Sequence, residues 1–340
     1  MRGEEGAPEV SQGLKVIAPF HKDHLGISVE DGLKTGNMIS AAGISHTIIL
    51  TVLFIVGIIG NGFLVIVNVS KLIQSKKLMC IELLLTCLGV SRLGLQILLT
   101  LQGIMSIFFA SMYLKSIYGF LFLFIWMFLN SSSFWFATCL GIFYCLKISG
   151  FTHPYFLWLK FRVSKLVPWM LLGSLVISVI TAVLCAYVWD SSLQSSTSWS
   201  NNVSLTGPCS ERVIVNDVLL VNLILIFPLG LFVMCTATLF ASLYIHTHRM
   251  QTGSSGLGNP SADAHIHALR TVITFFCFFI SYFAALMVNL TFTVPFRSLW
   301  FFVLKDIMAA YPSGHSVIII LGNSKYQQSF RRILGLAKKP

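Results

Sequence analysis

Seven stretches of this chain carry no charged side chain and approach or exceed the length of a bilayer crossing. They are His46 to Ser70, Leu93 to Tyr113, Ser116 to Leu146, Leu166 to Trp189, Val218 to Ile245, Thr271 to Phe296 and Ile307 to Ser324. A helix rising about 1.5 Å per residue needs roughly 20 apolar residues to cross about 30 Å of hydrocarbon. The first, fourth, fifth and sixth runs meet that outright, and the third is long enough to cross with a steep tilt. The second qualifies if its helix starts near Met79 and takes Arg92 inside. The seventh qualifies if its helix starts near Phe301, with Lys305 and Asp306 at one end. With 56% hydrophobic and 10% charged residues the chain has too few charges to cover a water-facing surface, where about 25% is usual. The fold class that follows is an all-α membrane protein, a bundle of seven transmembrane helices. No run reads as a signal peptide, because the first comes late and no small-residue cleavage site follows it.

Basic residues set the expected orientation. Lys71, Lys76, Lys77, Lys147, Lys160, Arg162, Lys165, Arg249, Arg270, Lys325, Arg331, Arg332, Lys338 and Lys339 follow spans one, three, five and seven. Only Lys115, Arg212, Arg297 and Lys305 belong to the opposite side. Fourteen against four places the N-terminus outside and the C-terminus in the cytosol. The net charge of +11 is thus an orientation signal, and no basic stripe interleaved with stacking aromatics points to nucleic acid. Residues 1–37, with six acids and four bases and no periodicity, read as a disordered extracellular tail. Met38 is a second candidate start. Residues 38–324 form the bundle and 325–340 a cytosolic tail.

The Ser-, Asn- and Thr-rich stretch from Asp190 to Val213 reads as an outer loop and holds Asn202-Val203-Ser204, a glycosylation acceptor on the lumenal side. Asn68, Asn130 and Asn289 start similar triplets, but within or at the edge of spans. Of eight cysteines, Cys80, Cys87, Cys139, Cys145, Cys235 and Cys277 fall in or beside spans and read as small apolar packing residues. Cys185 and Cys209 lie near the outer side, where a pairing between them stays open. The outer end of span three offers no cysteine.

Enzyme signatures are absent: there is no His-Glu-x-x-His, no Gly-x-Ser-x-Gly and no Walker loop. The glycines from Gly253 to Gly258 read as flexible linker. His246 and His248, with His265 and His267, flank that linker; they read as a solvated loop rather than a metal site, since helical ligand pairs favour i, i+4 spacing. No cofactor is expected. Polar residues inside spans carry more information, because each is costly in lipid and turns inward. Arg92 and Asn61 differ in level by about four residues, roughly 6 Å. Arg92 is therefore expected to bond Asn61 and a polar group of span seven, Ser316 or His315. Trp126 and Asn130 stand one helical turn apart on span three and share a face. That spacing is compatible with core packing and with a platform for an amphipathic ligand.

Several strings together resemble the type 2 (bitter) taste receptors. They are Leu88-Gly-Val-Ser-Arg92, the run from Trp135 to Tyr144 followed by Lys147, the run from Leu157 to Arg162, Ser242-Leu-Tyr-Ile-His246, Pro260 to His265 with Arg270, and Tyr311-Pro-Ser-Gly-His-Ser316 with Leu321-Gly-Asn323. The resemblance runs in order from about Met38 to Leu336. It implies a multi-pass plasma-membrane receptor activated by small bitter agonists and coupled to a heterotrimeric G protein with a gustducin-like α-subunit, with membrane lipid as its other partner. It implies that Trp126, Asn130 and Tyr282 contact ligand, and that Lys305 stands where some relatives carry an acid. Phe279 replaces a frequent tyrosine. Asn61, Arg92, His315 and Ser316 are then structural or switching residues, while Tyr144, Lys147, Lys160, Arg162 and His246 face the G protein. A secondary transporter would call for repeated halves and broken helices, and the halves here share no motif. A pheromone-type receptor would share the topology but not the strings of spans three and seven.

Overall fold

The computed structural model describes residues 29–108, 116–149, 153–200, 208–253, 260–291 and 298–333. Regular structure among them is helical throughout. The helices are α1 (Val29–Ser75), α2 (Cys80–Phe108), α3 (Ser116–Ile148), α4 (Pro154–Ser200), α5 (Pro208–Gly253), α6 (Pro260–Thr291), α7 (Leu299–Gly322) and α8 (Ser324–Ile333). Six of them, α1 to α6, contain segments long and apolar enough to cross a membrane. The 24-residue α7 is diluted by Lys305, Asp306, Ser313, His315 and Ser316, and its packing inside the bundle accommodates them.

Local chemistry sets the starts. Pro154, Pro208 and Pro260 each open a helix, where a missing N–H forfeits no bond. Glu82, in the first turn of α2, accepts from the Met79 N–H at 2.9 Å. The Ser298 hydroxyl accepts from the Phe301 N–H at 3.1 Å and caps α7. The Asn323 side chain accepts from the Lys325 N–H at 3.0 Å and starts α8. At the end of α1, Lys76 turns left-handed with φ of 52°.

Three sequence expectations change. Residues 29–37 continue α1 instead of belonging to the tail, and residues 190–200 and 208–213 extend α4 and α5 into the expected loop. Once a span has nucleated a helix, adding a residue loses only fractions of a kcal/mol even for Ser or Asn, a few tenths to about 0.7 kcal/mol each. The His-x-His pairs also lie in helices, His246 and His248 on α5, His265 and His267 on α6. Among the described residues no cluster could hold a metal ion.

The helices close a ring in the order α1, α2, α3, α5, α6, α7 and back to α1, with α4 packed outside on α3. The α3–α4 seam is the most extensive, and a stripe of small residues explains it. Ser174, Ser178, Ala182 and Ala186 repeat every four residues on α4 and are all buried. Small side chains let backbones approach, which is how helices gain contact when hydrophobic burial gives no advantage over lipid. The outer faces are apolar: Ile48, Ile55, Ile59, Ile66 and Ile73 on α1 and Trp169, Leu172, Val176, Ile180 and Val183 on α4 are exposed in the bare chain. Such a belt in water would be an aggregation surface; lipid covers it.

One end of the bundle carries Lys71, Lys76, Lys77, Lys147, Lys160, Arg162, Lys165, Lys325, Arg331 and Arg332 and is the basic end. There α8 turns aside and packs on α1. Tyr326 is buried and donates to Asn68 Oδ1 at 2.9 Å, while Asn68 Nδ2 donates to Thr86 at 3.2 Å. Lys71 pairs with Glu82, and Phe330 meets Phe63 edge-on at 5.2 Å. Burial raises the Tyr326 hydroxyl above its ordinary pKa, with Asn68 opposing.

Candidate ligand site

Helix α3 is the axis of the site. From Asn130 to Gly141 every residue is buried, so polar groups here must find partners within the protein. Asn130 Oδ1 accepts from the Tyr282 hydroxyl of α6. Tyr282 stacks on Tyr311 of α7, with centroids 4.7 Å apart. Tyr311 in turn accepts from Arg92 of α2 at 2.7 Å, and the guanidinium also lies over its ring at 4.6 Å from the centroid. Arg92 NH1 donates to His315 Nδ1, and the His315 ring stacks on Phe275 of α6 at 3.8 Å. Four helices are thereby joined through one chain of polar and aromatic contacts. Arg92 is fully buried, with aromatic faces and the His315 ring around its guanidinium.

Trp126 lies one turn from Asn130 toward the end away from the basic residues, and is 6% exposed. The Asn130 amide nitrogen, the Trp135 indole nitrogen and the hydroxyls of Ser131, Ser132 and Ser133 are buried without a hydrogen-bond partner. Buried unpaired polar atoms are costly, about 1–3 kcal/mol each, and a polar ligand or water satisfying them recovers that energy. Phe134 reaches Phe279, Tyr282 and Phe283 at 5.2, 5.2 and 5.6 Å, and Phe232 lies 4.0 Å from Phe279. Aromatic side chains of α3, α5, α6 and α7 thus pack together beside Asn130, with Tyr311 joining them to Arg92.

The expected bond from Arg92 to Asn61 is not formed. Asn61 Nδ2 donates to the Pro312 and Gly57 carbonyls, each at 3.0 Å, which ties this side chain to α7 and to its own helix. Of the two partners proposed on span seven, Arg92 reaches His315. Ser316 donates to the Ser313 carbonyl at 2.8 Å and packs on Gly60, where a Cβ would come 3.0 Å from that of Ser316. A residue with a side chain at position 60 would push α1 and α7 apart. Tyr311 and Gln96 are the residues that sequence reasoning passed over. Gln96 Nε2 donates to Ser313 Oγ at 2.8 Å and to the Leu53 carbonyl at 3.2 Å. The signal was present: Arg92 and Gln96, like Tyr311 and His315, stand four apart and so share faces.

At the far end of α7 the neighbours Lys305 and Asp306 diverge. Asp306 takes His46 of α1 at 2.7 Å, whereas the Lys305 ammonium lies 5.7 Å from the Phe301 ring centroid. At the basic end, Lys147 is exposed and Tyr144 half-buried. Lys160 donates to the Ser149 carbonyl at 3.1 Å, and the Arg162 guanidinium lies 4.5 Å from the Trp158 ring centroid on the outward face of α4. The His246 side chain and Asn202 lie outside the described residues.

Comparison with known proteins brings three findings. The model of the taste receptor protein family (TAS2R) matches residues 38–338. The human protein "Taste receptor type 2 member 2" is 58% identical over 301 residues, covering 88% of this chain and 99% of that protein, and "Taste receptor type 2 member 7" of Macaca mulatta is 33% identical over 284 residues, covering 83% and 89%. Among solved structures squid rhodopsin superposes with a TM-score of 0.55 at 13% identity, over 86% of this chain and 85% of the other, which places the fold among seven-helix bundles.

Proposed function

This chain belongs to the type 2 taste receptor family, and from that premise we propose that it is a plasma-membrane bitter receptor whose agonists bind between α3, α5, α6 and α7. It is a receptor and not an enzyme. The observation that carries the site is the contact chain from Asn130 through Tyr282 and Tyr311 to Arg92 and His315. A ligand seated on Trp126 and the unpaired Asn130 amide would touch the first link, and any change in the Tyr282–Tyr311 stack passes to Arg92. Lys305 lies on α7 six residues before Tyr311, toward the end away from the basic residues, and in this reading its charge selects among ligands.

An agonist acts by binding one conformation more tightly than another, and shifts the population by no more than that difference. In the orientation with the basic end in the cytosol, the ends of α3, α5 and α6 there receive a gustducin-like α-subunit and promote nucleotide exchange. Tyr144, Lys147 and His246 lie on the two helices that border this opening, α3 and α5. Lys160 and Arg162 flank it on α4, the latter stacked outward on Trp158. The test is calcium imaging of cells expressing the chain with a G-protein α-subunit carrying a gustducin tail, challenged with a panel of bitter compounds. At least one compound should evoke a response that needs both the receptor and the chimera. Silence across a broad panel at verified surface expression would overturn the reading.

A further inference from the structure

The outward face of α4 changes its chemistry at one level. From Trp169 to Tyr187 the exposed residues of this helix, Leu172, Val176, Ile180 and Val183 among them, are apolar or aromatic. That stretch rises about 27 Å, close to the thickness of the hydrocarbon layer. An aromatic ring that carries a polar atom stands at each end of it, as is usual at the two membrane interfaces. Toward the basic end the same face goes on through Lys165, Arg162, Trp158 and Tyr155, at spacings of three and four, and all four are exposed. Lys165 and Arg162 therefore come roughly 6 and 10 Å beyond Trp169, at the level of lipid headgroups.

Both cations are turned away from the bundle. Val163 and Val167 are fully buried on the opposite side of the helix, and Lys160, by contrast, is turned in to the Ser149 carbonyl at 3.1 Å. The Arg162 guanidinium lies over the Trp158 ring, 4.5 Å from its centroid. A guanidinium resting on an indole keeps its in-plane N–H groups for an acceptor, and that planar fork matches a phosphate. No acidic residue occurs between Glu82 and Asp190. Among the described residues Glu82 takes Lys71 and Asp306 takes His46, and neither Arg162 nor Lys165 has a carboxylate partner.

We infer that this face of α4 is a binding site for an anionic glycerophospholipid, its phosphate held by Arg162 and Lys165 and its acyl chains laid along Trp169, Leu172 and Val176. The apolar stripe that continues from the two cations suits a phosphate attached to acyl chains better than a free one. A second copy of the chain docked through the same stripe about an axis normal to the membrane would set the cations of each copy against their equivalents. With the basic end in the cytosol, the site faces the leaflet that carries anionic lipid. Two cations near an anionic surface favour the charged lipid over a zwitterionic one by up to roughly thirtyfold in affinity. Binding at this site does not depend on the receptor reading above.

The experiment places the full-length chain in nanodiscs of phosphatidylcholine that contain a small fraction of a photoactivatable lipid, either a phosphatidylserine or a phosphatidylcholine with the same diazirine-bearing acyl chain. Illumination is followed by peptide mapping. Labelling between Tyr155 and Val176 should be roughly fivefold or more higher with the serine lipid. Strong salt should remove that excess, and inorganic phosphate at the concentration of the probe lipid should leave it in place. The double variant Arg162→Gln, Lys165→Gln should lose the excess while unfolding in neutral detergent at the temperature of the wild type, since both side chains are exposed. Should that variant fail to fold, the salt dependence of the wild type decides. Equal labelling by the two lipids, or an excess that survives strong salt or the double substitution, overturns the proposal. Loss of the excess to inorganic phosphate overturns it in favour of a soluble anion, and crosslinks between two copies through these residues in place of lipid overturn it in favour of a dimer face.

Discussion

Arg92 is the residue whose removal should be felt at every level. Its guanidinium satisfies Tyr311 and His315 in the bundle interior, so Arg92→Ala leaves both unpaired, at about 1–3 kcal/mol for each buried group. Surface expression or signalling should fall for all agonists alike, and a loss confined to one chemical class of agonist would contradict the assignment. Trp126 makes the opposite prediction. Trp126→Ala removes a stacking surface worth about 0.5–1.5 kcal/mol beyond its buried area, and should raise half-maximal concentrations roughly tenfold, area included, with surface levels kept. Normal potency for every agonist would mean that this face is only core. Lys305 governs charge preference. With Asp306 held by His46, Lys305 is left without a carboxylate partner among the described residues. Lys305→Glu should therefore strengthen responses to cationic amines and weaken those to acids, with neutral agonists little changed. Equal shifts for all three classes in dose–response measurements would separate the side chain from the ligand.

Among the elements, α4 depends most visibly on residue size. Ala182 is fully buried within the stripe that faces α3, while its neighbour Val183 is 51% exposed on the lipid side. Ala182→Leu should destabilise the purified receptor by about 1–3 kcal/mol through overpacking, and Val183→Leu should leave its thermal unfolding unchanged. Equal behaviour of the two variants would mean that α4 does not pack on α3 through this stripe. The prolines inside α4, α5 and α7 follow a related logic. Each removes one helical N–H, and a side chain from a neighbouring helix engages the carbonyls around it, as Cys80 does at Ser164, Thr138 at Pro228 and Asn61 at Pro312. At Ser164, the carbonyl that Pro168 leaves without its helical donor, the break in backbone pairing becomes a point where α2 and α4 meet.

For the molecule as a whole, orientation is the property that the basic residues imply and that Asn202 can test. Helix α4 begins at the basic end and ends with Ser200 at the opposite one, the side expected to face the lumen, two residues before Asn202 in the sequence. Asn202→Gln should abolish an endoglycosidase-sensitive gel shift and lower surface delivery. Persistence of the shift would mean that another acceptor is used or that the bundle is inverted.

Hydrophobic runs, their number and the distribution of lysine and arginine determined the class of fold and the expected topology, because a bilayer penalises charge so heavily that span length is written directly in composition. They also required that Arg92 and Asn61 turn inward. What they left undetermined is rotation. A span that is apolar on every side carries no hydropathic mark of which face meets which neighbour, so nothing in the runs themselves told Asp306 from Lys305 or paired Tyr282 with Asn130. Those choices belong to the tertiary structure. Gly60 and Gly141 let particular faces approach, the small residues of α4 do the same, and each polar side chain then takes the partner that close packing brings within reach. For that reason Arg92 ends on Tyr311 and His315 while Asn61, at a similar depth, ends on a carbonyl.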